Sequence, residues 1–271
     1  VSKRVEHESV AGIRVGRFGG KINTTCIVWR IGSSVIDTGP PNQWPAVRRF
    51  VRERTVERVL LTHHHEDHSG NAARIRSEFG VGVFAPPGAI PPLRDGFPLR
   101  PYQHVVWGRP PRMEAVPVPD FVDAGDGYAL RAVHSPGHSP DMTCYLEPER
   151  GWLITGDLFL SKRTRYLRID EDLSSLLASL RRILDEEFDT LFCSHRGVVK
   201  DGKDAIRVKL EGLEELCGKV RALGDEGRSE GEIARELLGR EDLISWITGF
   251  HMSKRSLVRG CLRASHQDTS D

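Results

Sequence analysis

The stretch Thr62-His63-His64-His65-Glu66-Asp67-His68-Ser69-Gly70 concentrates four histidines and two carboxylates in six consecutive positions. A hydrophobic core has no use for such a run. Imidazole and carboxylate together are ligands for zinc, iron or manganese. Val59-Leu60-Leu61 just upstream is an apolar run that predicts a buried strand. If the backbone stays extended beyond Thr62, side chains alternate in direction. His63, His65 and Asp67 then share one side, and His64 and Glu66 the other. Ser69-Gly70-Asn71 followed by Ala72-Ala73-Arg74-Ile75 predicts a helix start, and the change of geometry lets His68 swing beside Asp67. Two pairs result, His63 with His65 and Asp67 with His68, enough to begin two neighbouring metal sites. The competing reading is a solvated polar turn, or a histidine tract that takes up metal adventitiously.

The pattern His63-x-His65-x-Asp67-His68 resembles the signature of the metallo-β-lactamase superfamily. Later stretches match the same family in order: His138 in Ser135-Pro136-Gly137-His138-Ser139-Pro140-Asp141, Asp157 in Thr155-Gly156-Asp157, and His195 in Cys193-Ser194-His195-Arg196-Gly197. Asp37 in Val35-Ile36-Asp37-Thr38-Gly39 matches its first motif. One departure is Cys193-Ser194, where the family often has Pro-Gly. The resemblance covers about the first 200 residues. It implies an α/β (α+β) fold, a four-layer αββα sandwich. It further implies that His63, His65 and His138 hold one metal, that Asp67, His68 and His195 hold another, and that Asp157 bridges them. Asp67 and Asp157 would be the catalytic carboxylates. Asp37 would sit behind the ligands and steady them, although a plain turn carboxylate is the other reading.

The elements around these residues are legible in part. Ile13–Phe18, Thr25–Ile31 and Ser34–Ile36 have strand character, and Trp44–Arg54 has helical spacing. Prolines recur from Pro86 to Pro119, which predicts mostly irregular chain there, a lid or a wall for substrate. Tyr128–His134, Met142–Leu146, Trp152–Thr155 and Thr190–Cys193 are further strands, so each expected ligand follows a strand end. Leu173–Leu184 is an amphipathic helix. From about Lys203 the chain turns helical, over Ala205–Leu223, Ser229–Leu238 and Ser253–Ala264, with a tail, Ser265–Asp271, expected to fray. The expected division is a catalytic domain over 1–200 and a small helical unit over 201–271.

Composition bounds the function. The chain has 271 residues and a net charge of +1, so no global field favours nucleic acid or an anionic membrane. Five scattered cysteines without a Cys-x-x-Cys pair predict reduced thiols and a cytoplasmic protein. The N-terminal residues lack the apolar stretch of a signal peptide, and no run approaches the ~20 apolar residues of a membrane span. A local basic stretch, Lys162–Arg168, is either a solvated face or a rim for an anionic substrate; Arg165 and Tyr166 are its candidates for substrate contact. Phe250, His251 and Lys254 are candidates from the helical unit.

The expected activity is that of a dinuclear metal hydrolase, in which a metal-bridging hydroxide cleaves an ester, thioester or lactone of a small molecule. Hydroxyacylglutathione hydrolases and lactonases are among the lookalikes. Zinc is the expected metal, with manganese or iron as alternatives. Competing readings are a phosphodiesterase or ribonuclease of the same fold, an iron-dependent redox protein, and a metal-bearing regulator with little turnover.

Overall fold

Residues 2–19 and 24–264 are described by a computed structural model; the tail Ser265–Asp271 lies outside the described residues. The strand pattern of the first third builds one sheet of seven strands in sequence order: β1 (Ser2–His7), β2 (Val10–Val15), β3 (Cys26–Ile31), β4 (Ser34–Ile36), β5 (Arg58–Leu60), β6 (Gly82–Ala85) and β7 (Val116–Pro117). β1 to β4 pair antiparallel and β4 to β7 pair parallel. Parallel neighbours need crossovers. These are supplied by α1 (Trp44–Arg52), then α2 (Glu66–Ser69) with α3 (Ala72–Phe79), then α4 (Ile90–Asp95) with α5 (Pro101–Val106). Val47, Phe50 and Val51 of α1 and Ile75 of α3 are buried in one cluster with Val35, Val59 and Val83 of the sheet.

The second sheet has β8 (Phe121–Gly125), β9 (Tyr128–His134), β10 (Thr143–Glu147) and β11 (Trp152–Gly156), followed by β13 (Thr190–Cys193) and β14 (Gly197–Val199); the two-residue β12 (Leu167–Arg168) belongs elsewhere. Its order is β14-β13-β11-β10-β9-β8, with β11 and β13 parallel. Trp29, Ile36 and Leu60 of the first sheet share a buried cluster with Leu130, Tyr145 and Phe192 of the second. Each such large apolar side chain contributes about 1.5–3 kcal/mol on burial. The expected two-sheet α/β sandwich is therefore present, with its inner core between the sheets.

The proline-rich stretch differs from expectation, since it holds α4 and α5. Pro91 sits in the first turn of α4 and Pro101 opens α5. A proline at a helix start gives up no hydrogen bond and pre-sets φ, so prolines here begin helices instead of preventing them.

A second compact unit consists of Ser135–Pro140, Leu158–Glu186 and Lys203 onward. Its last segment begins in the first turn of α7 (Gly202–Asp225), and the unit takes in two earlier segments that the expected division at residue 200 left with the first domain. It contains β12, α6 (Leu173–Leu184), α7, α8 (Glu230–Leu238), α9 (Leu243–Ile247), β15 (Met252–Ser253) and α10 (Lys254–Ala264). The reason is packing: α6 and α8 both lie on α10. α6 buries Leu173, Leu176, Leu177, Leu180 and Ile183, and the Asp172 carboxylate caps it by accepting from Ser175 N. Among the described residues, no helix is long and apolar enough to cross a membrane.

β11 ends at Gly156, at φ +48°, where an added Cβ would lie 2.3 Å from Met142 Cε and 2.8 Å from Thr62 Oγ1. Gly156→Ala should cost about 1–3 kcal/mol through left-handed strain and overpacking, visible as a thermal midpoint several degrees lower; an unchanged midpoint would refute the close approach. In the second unit Glu230 accepts from Arg259 (2.8 and 3.0 Å) and from Arg255 Nε (3.0 Å). The hydrogen bond from Arg259, then that from Arg255, hold the Glu230 carboxyl down at about 2. A depressed carboxyl stabilises the fold fully above its unfolded pKa of about 4.3, and that stability fades as pH falls through about 2. Glu230→Gln should therefore lower the melting temperature at pH 7 and lower it less at pH 3. An equal loss at both would show that the carboxylate charge is not what matters.

Candidate metal centre

β5 delivers Leu61 and Thr62, after which His63 to His65 are non-helical and Glu66 opens α2. The helix begins earlier than the sequence pattern suggests, so Asp67 and His68 project from its first turn. β11 delivers Asp157 and β13 delivers His195. One ligand atom each from His63, His68 and Asp157 lie within 4.8 Å of one another, and so do those of Asp67, His68 and His195. Asp157 Oδ1 stands 3.3 Å from His68 Nε2 and 3.0 Å from His195 Nε2. Asp67 Oδ2 stands 3.9 and 3.7 Å from the same two nitrogens. The His63 and His65 rings meet edge to face, 4.6 Å between centroids. All of these residues but His195 are buried, and His195 is nearly so.

The tautomers follow from the partners behind the rings. His68 Nδ1 lies 2.7 Å from Asp37 Oδ2, and His195 Nδ1 lies 2.7 Å from the Thr25 carbonyl. Carboxylate and carbonyl oxygens only accept, so both Nδ1 atoms carry a proton, which leaves each Nε2 as the ring atom able to offer a lone pair to a cation. Thr62 Oγ1 donates to Asp37 and therefore accepts from His63 Nδ1 at 3.0 Å, which fixes the third ring in the same way. His68 Nε2 is buried and makes no hydrogen bond. This is the donor arrangement of a metal site, with imidazole nitrogens and carboxylate oxygens convergent and the far side of each ring engaged.

The electrostatics agree. Burial opposes a positive charge on His195, yet Asp157 and Asp67 outweigh it and raise the ring's pKa. At His68 burial is overcome in the same direction by the carboxylates of Asp157, Asp37 and Asp67. Surroundings that draw a proton onto buried imidazoles also favour a divalent cation.

Asp37 is fully buried at φ +56°, a left-handed conformation unusual for a residue other than glycine. Its Oδ1 accepts from Thr62 N at 2.9 Å, while Thr62 Oγ1 and His68 Nδ1 reach Oδ2. The neighbouring Thr38 donates through N and Oγ1 to His68 O, and Asn71 Nδ2 donates to the carbonyls of Thr38 and Pro40. The ligand loop is thus laced to the end of β4.

Four supports were not singled out by sequence reasoning. The Asp141 carboxylate accepts from His64 N (2.8 Å) and His64 Nδ1 (2.9 Å), turning that ring away from the cluster. Gln103 of α5 donates to Glu66 Oε1 at 2.7 Å, and Phe97 meets the His64 ring edge-on at 4.9 Å. In the second unit, His138 Nδ1 donates to Glu171 Oε1 at 2.5 Å. Asp141 stood in the Ser135–Asp141 motif and was open to discovery there. Gln103 and Glu171 carried no local signal.

The candidates for substrate contact are placed within the second unit. The Tyr166 hydroxyl donates to the Asp242 carboxylate, and burial together with that contact pushes its pKa up to about 12. Arg165 lies over the Tyr166 ring at 5.8 Å. Phe250 packs edge-on against Trp246 at 4.8 Å, and both line a cavity of about 730 Å³ with Arg235, Arg240 and Arg255. His251 and Lys254 are buried, His251 on Asp170 and Lys254 Nζ on the Arg240 carbonyl at 2.6 Å.

Comparison with known proteins gives the same picture of the family. The chain is 30% identical over 160 residues to an atrochrysone carboxyl ACP thioesterase of Claviceps purpurea (strain 20.1), covering 58% of this chain and 43% of that protein. It is 29% identical over 245 residues to an atrochrysone carboxyl ACP thioesterase of Pseudocercospora fijiensis (strain CIRAD86), covering 89% of this chain and 66% of that one. The chain thus spans from under half to about two thirds of the length of these relatives. A β-lactamase domain protein from Burkholderia ambifaria has the same fold, with a TM-score of 0.73 at 22% identity over 97% of this chain and 88% of that one. The family model for the metallo-beta-lactamase superfamily matches residues 32–195, more than half of the sequence. That span holds every residue of the convergent cluster, and the chain belongs to the metallo-beta-lactamase superfamily.

Proposed function

We propose that this protein is a dinuclear metal-dependent hydrolase acting on a thioester, with esters and lactones as related substrates. The observation that carries the reading is the convergence of His63, His68, His195, Asp67 and Asp157, with Nδ1 of each ring engaged from behind. The names of the curated relatives support a thioester over the other bonds. In this reading His63, His65 and His138 would hold one cation and Asp67, His68 and His195 a second, with the Asp157 carboxylate available to both. Zinc suits the donor set of imidazole and carboxylate, and manganese or iron are the alternatives. A cation pair held there supplies an ionised water near neutral pH and stabilisation of the developing oxyanion.

The residues of the chain do the rest. Asp37 and Thr62 hold the rings of His68 and His63 from behind. In this reading Asp67 orients the attacking water, accepts the proton that the water loses and delivers it to the leaving thiolate. No serine or cysteine nucleophile is needed; the cysteines are buried free thiols. That state agrees with a cytoplasmic location, which we include in the proposal. The basic stretch around Arg165 gives little support to a nucleic-acid substrate, because Lys162 and Arg168 are paired with Asp204 and Asp170.

Purified protein should contain close to two zinc equivalents by elemental analysis and hydrolyse members of a thioester and lactone panel, with loss of activity on chelation. Asp157→Ala should lower metal content and reduce turnover at least about 100-fold. Wild-type turnover in that variant would refute the bridge, and iron without hydrolysis would favour redox chemistry. Asp37→Asn keeps the shape but removes the charge behind His68 and Thr62. It should weaken metal affinity by about 10–100-fold, as measured by competition with a chromogenic chelator; wild-type affinity would reduce Asp37 to a turn residue.

A further inference from the structure

His138 stands on a short loop, and the structure shows what holds that loop. The Gly137 carbonyl accepts from Asp172 N at 2.8 Å and the Pro136 carbonyl from Ser179 Oγ at 2.7 Å, so the loop is fastened to the first turns of α6. An added Cβ on Gly137 would lie 2.5 Å from Leu176 Cα, which leaves the loop no room to shift inward. The ring itself is set by Glu171: Oε1 accepts the hydrogen bond from Nδ1–H, so Nε2 is the atom that can offer a lone pair to a cation. Glu171 Oε2 in turn accepts from Arg168 N at 3.0 Å.

The segment that carries Glu171 is held by residues about 80 positions further on. β12 pairs antiparallel with β15, Leu167 opposite Ser253 and Arg168 opposite Met252. Ile169 N donates to His251 O at 2.9 Å. Asp170 accepts from His251 Nε2 at 3.0 Å and from Arg168 Nε and Nη2 at 3.0 and 2.8 Å. His251 is only 3% exposed, although Asp170 is half in solvent. A buried imidazole spent on an exposed carboxylate does little for stability as an ion pair. Its geometric effect is larger, because it fixes the turn 168–171 from which Glu171 projects.

We propose that His251, with the β15 strap, is a positioning residue for the metal ligand His138, acting through Asp170 and Glu171. This rests on the reading of His138 as a metal ligand. It gives the residues around β15 a definite part within their own unit: they hold the carboxylate that sets the tautomer and direction of His138. A two-residue strand is weak by itself, so the side-chain contact between His251 and Asp170 is the fastening that keeps it in register.

The test is metal affinity, measured by chelator competition on full-length protein, with folding followed by circular dichroism. Glu171→Ala should weaken one of the two metals by about 10–100-fold, and Glu171→Gln, which keeps an acceptor for Nδ1–H, should recover most of it. His251→Ala should weaken the same metal severalfold, and His251→Gln, which still donates to Asp170, should recover it. Glu171→Ala combined with His251→Ala should lose no more than Glu171→Ala alone, since both lie on one path. Additive losses, or wild-type affinity in folded Glu171→Ala or folded His251→Ala, would overturn the proposal. His138→Ala separates the two readings. If it leaves metal binding intact, His138 is not a ligand and the functional reading fails with it; if it removes one metal while His251→Ala changes nothing, only the positioning role falls.

Discussion

The Asp37 carboxylate, buried without solvent contact, ties the end of β4 to the ligand loop through Thr62 N, Thr62 Oγ1 and His68 Nδ1. A buried carboxylate is costly unless its lone pairs are taken, and here the ligand loop takes them. The loop thus has one low-energy position. The left-handed backbone at Asp37 is the strain accepted for that placement. Once Thr62 and His68 are fixed, the rings of His63 and His68 have no freedom to turn away from Asp157.

The rest of the first unit can be understood as keeping this constraint dry and rigid. The core between the sheets holds β4, β5, β11 and β13 in register, and the segments leaving them carry Asp37, the histidine run, Asp157 and His195. Gly156 allows Thr62 and Met142 to approach closer than any side chain would permit. Gln103 and Phe97 brace the outward-facing Glu66 and His64. The proline-rich stretch therefore serves as a wall behind the ligand loop, which accounts for its short proline-initiated helices. In the second unit an analogous arrangement recurs on a smaller scale, where Glu171 fixes His138 and is itself fixed through neighbours of His251.

Much of this was legible in the sequence for a simple reason. Metal donors are rare residue types in tight spacing, and strands that deliver them are apolar runs of short period. Both signals are local. The histidine run, the strand before it, the amphipathic α6 and the three long C-terminal helices all lie close to where the pattern puts them. The extended backbone expected through Asp67 was less reliable, since local periodicity does not decide whether six polar residues turn helical at Glu66 or later.

The sequence by itself determined where donor residue types concentrate, the strand ends that precede them and the family to which those motifs belong, and it already offered Asp37 as a residue behind them. Only the tertiary structure decided the other supports. Asp141 supports His64 across 77 positions, Glu171 supports His138 across 33, and His251 reaches Asp170 across 81. Nothing near Glu171 in sequence marks it, and although Asp141 lies in the Ser135–Asp141 motif and His251 in the C-terminal stretch, neither position names its partner. A hydrogen bond depends on distance and direction in space, and those are set by the packing of whole elements.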